Sequence, residues 1–329
     1  MRRFLLVSLA AGMTILLAAA GAAAPYETKV YDLPNSSYIH DVAPAPGGLI
    51  WYTAQKEGAL GILDPNTGDV KFVRLGEGSK PHGIIQGKDG NAWITDGGQN
   101  AIVRFNPKTQ EVKVWKLPEE TGYTNLNTAA IDGDGHVWFT GQTGIYGKLD
   151  VAKGEVKVWK APRGRGPYGI TSTPSGDIWF VSLAGSYLGK IDRKTGETTI
   201  IDPPHPNAGS RRVWSDSKGN LWVSEWNSGH LDRYSPATGA WKSWIVPGEK
   251  PQCYAVYVDD KDIVWVSQWG ANATYSFDPK TETFTEVPGT KANANVRQIL
   301  GQPGAIFLPE SGASRIVVVT TGLKRAADK

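Results

Sequence analysis

The sequence has little cysteine and little net charge. Among its 329 residues there is a single cysteine, Cys253, so no disulfide framework is available and stability must come from burial. We interpret Cys253, next to Tyr254 in an apolar strand, as a small buried side chain rather than a nucleophile. The formal net charge is only +3. A nucleic-acid partner is therefore not expected, because it would require a concentrated basic surface.

Long apolar runs are also missing, except at the start of the chain. Met1-Arg2-Arg3 precedes an apolar run to Ala20, and small residues continue to Ala24. This pattern predicts a cleavable signal peptide over residues 1–24, and a periplasmic or secreted protein whose single domain spans 25–329. A membrane anchor is the alternative, but Pro25 begins loop-like sequence and no later run is long enough to span a bilayer. We therefore expect no membrane association after cleavage.

Helical periodicity is absent from the body of the chain, which instead repeats one unit of about 43 residues. The unit is marked by an aromatic residue at spacings of 42, 45, 41, 43, 43 and 42. These residues are Trp51, Trp93, Trp138, Trp179, Trp222, Trp265 and Phe307. Each unit contains four short strands separated by turns of the Asp-Gly and Pro-x-Thr-Gly types. The pattern predicts an all-β, seven-bladed β-propeller of four-stranded antiparallel blades.

The last unit ends after its third strand, at Thr321-Gly322. The missing strand is found at the other end of the chain, where residues 26–34 align without a gap on residues 110–118. We therefore predict that the N-terminal strand completes blade seven and leaves no open sheet edge. Because the ring is closed, we expect a monomer.

Two sets of residues are predicted to meet at the top face, where first strands begin and second strands end. The first ring lies eleven residues before the repeated aromatic residue, with a one-residue slip in blade seven. It consists of His40, His82, Asn127, Tyr168, Arg211, Tyr254 and Arg297. The second ring lies three residues after the aromatic residue and consists of Ala54, Asp96, Gly141, Ser182, Glu225, Gln268 and Glu310. These positions vary between blades while the turns repeat, which favours a site here.

Blades seven, one and two are neighbours, so five polar side chains are expected to cluster: Arg297, Glu310, His40, His82 and Asp96. Imidazoles and carboxylates together suit metal binding or acid–base chemistry. The alternative is that Arg297–Glu310 and His82–Asp96 are polar pairs lining a wet channel. Glu225 and Arg211 form a second candidate pair, for which a structural ion pair is the alternative.

Aromatic residues are expected to flank the same mouth. Trp226 and Trp269 directly follow second-ring positions, where they would either grip a flat ligand or pack between blades. His205 and His230 fall on top-side loops and are expected to be simply exposed. His136 follows a turn on the opposite face, and no function is expected for it.

The repeated motif resembles the streptogramin B lyase (virginiamycin B lyase) family over the whole mature chain. The strongest local match is Pro81-His82-Gly83-Ile84, Asp89-Gly90, Trp93-Ile94-Thr95-Asp96 and Asn100-Ala101-Ile102-Val103-Arg104. The resemblance implies an enzyme that opens a cyclic depsipeptide by elimination across its ester. In that chemistry a histidine is the general base, and Mg²⁺ held by acidic side chains stabilises the enolate-like charge.

The residues that carry this activity match only in part. Glu310 stands where the resemblance implies a metal-binding glutamate, but Arg297 occupies the position of the base and Tyr254 that of a second histidine. The resemblance also implies an acidic residue just before the base, which is absent here, and Asn295 stands nearby. An arginine stays protonated and cannot accept a proton, although it can hold an oxyanion. The histidines of this chain, His40 and His82, stand one and two blades further along the ring.

These observations lead to two main hypotheses. In the first, the protein is an exported lyase acting on a small cyclic ester or depsipeptide. Its catalytic residues would be His82, His40 and Arg297, and Glu310 and Asp96 would bind Mg²⁺. Substrate would be held by Tyr254, Tyr168, Arg211, Glu225, Trp226 and Trp269. In the second, the propeller binds a ligand or protein without catalysis. A six-bladed calcium-dependent lactonase is a third possibility, which the seven repeats disfavour.

Overall fold

A computed structural model of the protein describes residues 26–34, 38–289 and 292–321. The described chain forms 28 strands in seven four-stranded antiparallel sheets, which confirms the predicted seven-bladed propeller. The predicted signal peptide, residues 1–24, lies outside the described residues. Within them, no helix is long and apolar enough to cross a membrane.

The strands of the first three blades follow the repeat. Blade one contains β2 (Ile39–Pro44), β3 (Ile50–Ala54), β4 (Ala59–Leu63) and β5 (Val70–Arg74). Blade two contains β6 (Pro81–Gln86), β7 (Ala92–Asp96), β8 (Ala101–Phe105) and β9 (Val112–Lys116). Blade three contains β10 (Leu126–Ile131), β11 (Val137–Gly141), β12 (Ile145–Asp150) and β13 (Glu155–Lys160). Two short 3₁₀ turns, Pro46–Gly48 and Glu119–Thr121, lie between strands.

Blades four to six have the same order. Blade four contains β14 (Pro167–Ser172), β15 (Ile178–Ser182), β16 (Tyr187–Ile191) and β17 (Thr198–Ile201). Blade five contains β18 (Ser210–Ser215), β19 (Leu221–Glu225), β20 (His230–Ser235) and β21 (Ala240–Ile245). Blade six contains β22 (Cys253–Val258), β23 (Val264–Gln268), β24 (Ala273–Asp278) and β25 (Thr283–Glu286).

Blade seven joins the two ends of the chain. It contains β26 (Leu300–Gln302), β27 (Ala305–Glu310) and β28 (Arg315–Thr320), and its outermost strand is β1 (Glu27–Asp32). β1 pairs antiparallel with β28, with Val30 opposite Val317. The predicted closure by the N-terminal strand is therefore confirmed.

The repeated aromatic residues are scaffold. All seven are buried between sheets, and in three blades the indole N–H donates to an aspartate six residues earlier, as from Trp138 to Asp132 at 2.8 Å. The Asp-Gly turns on the same face place glycine at positive φ, as at Gly135 (φ 85°), a conformation that glycine adopts without strain. Cys253 is fully buried, and burial raises the pKa of its thiol.

An irregularity near the start of the first strand recurs in blades one to six. In blade one, Ile39 pairs with Ala54 but Val42 pairs with Tyr52, so the first strand carries one extra residue. The same register shift occurs in β6, β10, β14, β18 and β22. Such a bulge bends the strand and redirects its side chains. In blades one to six the bulge contains the first-ring residue of that blade, as it contains His40 in blade one.

A hydroxyl group on the second strand links each of several bulges to the next blade. In blade one, Thr53 Oγ1 accepts from the Asp41 N–H at 2.9 Å and donates to the His82 carbonyl of blade two at 2.8 Å. Thr95, Thr140, Ser224 and Ser267 occupy the equivalent position and make the equivalent bonds. The hydroxyl satisfies an N–H that the bulge removes from the ladder and fixes adjacent blades to each other.

Candidate functional site

The structure brings all seven residues of the first ring into one contact network. Asn127 Nδ2 lies 3.4 Å from His82 Nε2, and the His82 and His40 rings are 3.7 Å apart. Arg297 then donates to His40 Nε2 at 3.0 Å and to the Tyr254 hydroxyl at 3.3 Å. The network ends with Tyr168. Its hydroxyl lies 2.9 Å from that of Tyr254 and accepts from Arg211 at 3.0 Å.

Beneath the first ring lies a buried ion pair that sequence reasoning missed. Asp41 and Arg212 follow first-ring residues, and each is only 1% exposed. The Arg212 guanidinium approaches Asp41 at 3.4 Å and also donates to the Thr128 hydroxyl, so it connects blade five with blades one and three. The bulge turns both residues of each pair, His40-Asp41 and Arg211-Arg212, away from the ladder. The pairs of adjacent polar or charged residues in the sequence, His40-Asp41 and Arg211-Arg212, are the feature from which this ion pair could have been predicted.

The tautomers of both histidines follow from their partners. His40 Nδ1 lies 2.8 Å from Asp41, and His82 Nδ1 lies 3.0 Å from the carbonyl oxygen of Asn127. Because these oxygens can only accept, Nδ1 carries the proton in each ring and Nε2 presents a lone pair. Burial, followed by the charge of Arg297, lowers the pKa of His40; burial, followed by His40, lowers that of His82. Both imidazoles are therefore neutral at pH 7.

The opposite side of the network is strongly cationic. Arg211 and Arg297 are both partly exposed, and neither has a carboxylate partner among the residues that the structure describes. Burial alone would raise the pKa of Tyr254, but Arg212, Arg211 and Arg297 overcome this effect and lower it to about 8. Burial and the neighbouring Tyr254 raise the pKa of Tyr168 to about 12. This side of the site is therefore built to stabilise negative charge.

Trp226 and Trp269 flank this cationic side, as the sequence predicted. The Tyr254 and Trp269 rings stack at 4.8 Å with an interplanar angle of 14°. The Arg211 guanidinium lies 3.8 Å from the Tyr254 ring centroid and 4.2 Å from that of Trp226. Cation–π contacts of this kind hold a guanidinium in place without neutralising it.

The second ring does not join the network. Asp96 accepts from the backbone N–H groups of Lys80, Gly98 and Gln99 at 2.9 to 3.0 Å. Glu310 is paired with Arg315. Both carboxylates thus lie at the turn after the second strand, where they fix the local loop. The expected five-residue cluster is reduced to Arg297, His40 and His82, and neither His82–Asp96 nor Arg297–Glu310 is a pair.

The remaining candidates also depart from expectation. Glu225 does not pair with Arg211; it accepts from the Ser228 hydroxyl and lies beside Asp232. His205 and His230 are not simply exposed, since their rings stack at 3.8 Å. His136 lies 3.7 Å from Asp150, on the opposite face from the first ring.

A cavity of about 530 Å³ opens beside His82. Its lining includes Gln55, Lys80, Tyr123, Asn125 and Leu126. A second cavity, of about 590 Å³, lies at the far end of the first strands among the Asp-Gly-type turns, and it contains no residue of the first ring. Of the two histidine candidates, His82 lines this cavity and is therefore the one that a ligand can approach.

A profile of the virginiamycin B lyase family matches residues 19–271, which is most of the chain. The chain belongs to the virginiamycin B lyase family. The match ends before Arg297 and Glu310, the residues at which this sequence was compared with the family's base and metal ligand. A comparison with curated protein sequences found no match.

Solved structures of this family have the same fold. A streptogramin B lyase shares 21% identity and superimposes with a TM-score of 0.81, covering 90% of this chain and 98% of that one. A virginiamycin B lyase from Staphylococcus aureus shares 19% identity at a TM-score of 0.82, covering 90% and 100%. A catalytically inactive variant of the Staphylococcus aureus enzyme, solved with quinupristin, shares 20% identity at a TM-score of 0.81, again covering 90% and 100%. At these identities the likeness establishes the fold alone.

Proposed function

We propose that this protein is a carbon–oxygen lyase that opens a cyclic ester or depsipeptide by elimination at the first ring. The observation that carries the proposal is the neutral imidazole of His82, a residue that lines an open cavity and contacts His40, itself bonded to Arg297. A proton acceptor and a cation are thus held on the two sides of His40. Membership of the virginiamycin B lyase family supports the reaction class.

His82 is the general base in this proposal. Its Nδ1–H is held by the Asn127 carbonyl. Nε2 has only a long contact of 3.4 Å with the Asn127 side-chain amide, which a substrate would replace when Nε2 takes the proton from the carbon next to a carbonyl group. The C–H electrons then form a carbon–carbon double bond, and the neighbouring carbon–oxygen bond breaks. The ester oxygen leaves as part of a carboxylate, and no water is consumed.

Arg297 and Arg211 stabilise the negative charge that develops on the carbonyl oxygen and on the departing carboxylate. A guanidinium remains charged at every working pH and offers paired N–H donors to an oxyanion. The two arginines have no carboxylate of their own to compete with substrate among the described residues. Trp226 and Trp269 provide an aromatic surface for an apolar part of the ligand.

Mg²⁺, which the family resemblance implies, does not suit the donor set of the first ring. Mg²⁺ prefers several oxygen ligands, but among the described residues the only carboxylate grouped with the two histidines is Asp41, which Arg212 already neutralises. Asp96 and Glu310 are held elsewhere by backbone N–H groups and by Arg315. No step is therefore assigned to Mg²⁺, and the arginines supply the positive charge.

The test is to incubate the purified protein with streptogramin B depsipeptides and follow the products by mass spectrometry. Elimination opens the ring without changing the mass, whereas hydrolysis adds one water. We expect ring opening at unchanged mass, a loss of about 10²- to 10⁴-fold in rate for His82→Ala, and wild-type rates for His136→Ala. Binding without turnover would support the non-catalytic alternative, and activity in His82→Ala would refute the assigned base.

The pH dependence separates His82 from Tyr254 as the base. Because the pKa of His82 is lowered, a rate limited by its protonation should already be at its plateau at neutral pH and fall only in acid. A rate that instead rises through a pKa of about 8 would assign proton abstraction to Tyr254.

We also propose, from the leader-like residues 1–24, that the protein is exported to the periplasm or secreted. The closed ring of blades favours a monomer, and the near-neutral charge disfavours a nucleic-acid partner. Cell fractionation tests the proposed export, and light scattering of the mature chain tests whether it is a monomer.

A further inference from the structure

A second cluster of titratable side chains lies at the top of blade five. It consists of Glu225 at the end of β19, His230 and Asp232 at the start of β20, and His205 from the loop between blades four and five. We call these four residues the blade-five cluster. Among the described residues, no hydrogen bond or ion pair between side chains links it to the first ring.

The four side chains face one another closely. One ligand atom from each of His205, Glu225 and His230 lies within 4.8 Å of the others. The two imidazole rings stack at 3.8 Å with an interplanar angle of 18°. Asp232 completes the set, with its Oδ1 3.8 Å from His205 Nε2.

The cluster contains an unusual number of buried atoms without hydrogen bonds. They are His205 Nε2, His230 Nδ1, Glu225 Oε1 and both carboxylate oxygens of Asp232. Glu225 and Asp232 are completely buried. A buried polar atom without a partner destabilises the fold, so five together call for a ligand that all of them can contact.

The charges in the cluster also lack compensation. Neither Glu225 nor Asp232 has a lysine or arginine partner within the described part of the chain. Burial and the charge of Asp232 raise the pKa of Glu225 to about 9, and burial raises that of Asp232 against the opposing effects of the Glu225 carboxyl group and the Ser243 hydroxyl. Burial, followed by His205, lowers the pKa of His230. A bound cation would reverse the effect on the carboxyl groups and would require the imidazoles to be neutral.

We propose that His205, Glu225, His230 and Asp232 bind one divalent transition-metal ion, for which Zn²⁺ is the appropriate probe. Two imidazole nitrogens with carboxylate oxygens are a ligand set that Zn²⁺ accepts in tetrahedral geometry, whereas Mg²⁺ prefers oxygen alone. His205 comes from the loop and its side chain is 29% exposed, so it marks the entry side. The ion would fasten the loop between blades four and five to β20. This site is independent of the proposed lyase chemistry.

The test is equilibrium dialysis of the full chain against Zn²⁺ at neutral pH, with metal analysis of the protein. We expect one ion per wild-type chain and at least a tenfold loss of affinity in His205→Ala and in Asp232→Asn. His136→Ala and His40→Ala are matched histidine controls, and both should bind as the wild type does. Zn²⁺ should also raise the midpoint of thermal unfolding in wild type but not in His205→Ala.

The alternative is that Glu225 and Asp232 share a proton and bind no metal. In that case neither the wild type nor Glu225→Gln would retain Zn²⁺ after dialysis. Absence of bound Zn²⁺ in the wild type, or retention of full affinity in His205→Ala, would overturn the proposal. His205 lies on a partly exposed loop, so its removal should leave the fold intact, which circular dichroism verifies. Turnover in the lyase assay should be the same in His205→Ala as in wild type, which keeps the two proposals separate.

Discussion

Removing Arg212 should destabilise the propeller far more than removing any surface arginine. Arg212 and Asp41 are each 1% exposed, and their ion pair joins blade five to blade one across the centre of the ring. Deleting one partner of a buried pair leaves the other charge without compensation, at a cost of about 3–5 kcal/mol. Arg212→Ala should therefore lower the free energy of unfolding by about that amount.

The measurement is equilibrium unfolding in guanidinium chloride, followed by tryptophan fluorescence. Arg104→Ala is the matched control because Arg104 pairs with Glu111, whose side chain is 54% exposed. A surface pair contributes only about 0–1 kcal/mol. The double variant Arg212→Met with Asp41→Leu should recover much of the lost stability, because a well-packed apolar pair needs no charge compensation.

Two outcomes would refute this reasoning. The first is a loss below about 1 kcal/mol in Arg212→Ala, which would mean that water or a rearranged side chain compensates Asp41. The second is a double variant as unstable as the single one. That result would place the cost in lost packing of Arg212 against Tyr168 and Tyr254, whose ring centroids lie 5.1 and 5.6 Å from the guanidinium.

Three further predictions follow from the same region. Thr53→Val should lower the free energy of unfolding by about 1–3 kcal/mol, measured with denaturant, because it leaves the Asp41 N–H and the His82 carbonyl without a shared partner. A change near zero would show that the inter-blade hydroxyl is dispensable. Absorbance titration should reveal one tyrosine that ionises near pH 8, and this step should be absent in Tyr254→Phe. Identical titration curves for wild type and Tyr254→Phe would contradict stabilisation of the Tyr254 phenolate by the arginines. Stability should fall as the pH drops below about 6.5, because the unfolded histidine then binds a proton that folded His82 does not. His82→Gln should show a smaller fall, and an unchanged slope would rule out His82 as the source.

The architecture was predictable because the repeat is a property of local sequence. Buried aromatic residues at near-constant spacing, with turn residues between them, specify a blade without knowledge of its neighbours. The closure was equally local, since residues 26–34 match the fourth strand of blade two and pair with β28. Six members of the first ring were found because they occupy a fixed offset from the repeated aromatic residue, and Arg297 was found by allowing a one-residue slip.

The second ring shows where counting fails. Offsets from Trp93 place Asp96 at the top face, but they do not determine whether the carboxylate turns toward the axis or into its own loop. Asp96 turns into the loop because three backbone N–H groups, of Lys80, Gly98 and Gln99, are left unpaired by the turn. The Asp96 carboxylate therefore accepts hydrogen bonds from its own loop and does not line the central channel.

The bulge explains the residues that were missed. A regular strand alternates its side chains, so Asp41 and Arg212 would point away from the neighbours of His40 and Arg211. The extra residue in β2 and β18 breaks this alternation, and consecutive residues then contact the same central cluster. The chemistry of the site thus depends on a backbone irregularity that no side-chain pattern records. If Thr53 and its counterparts hold that irregularity in place, the hydroxyls of the second strands position the histidines and arginines without touching a ligand.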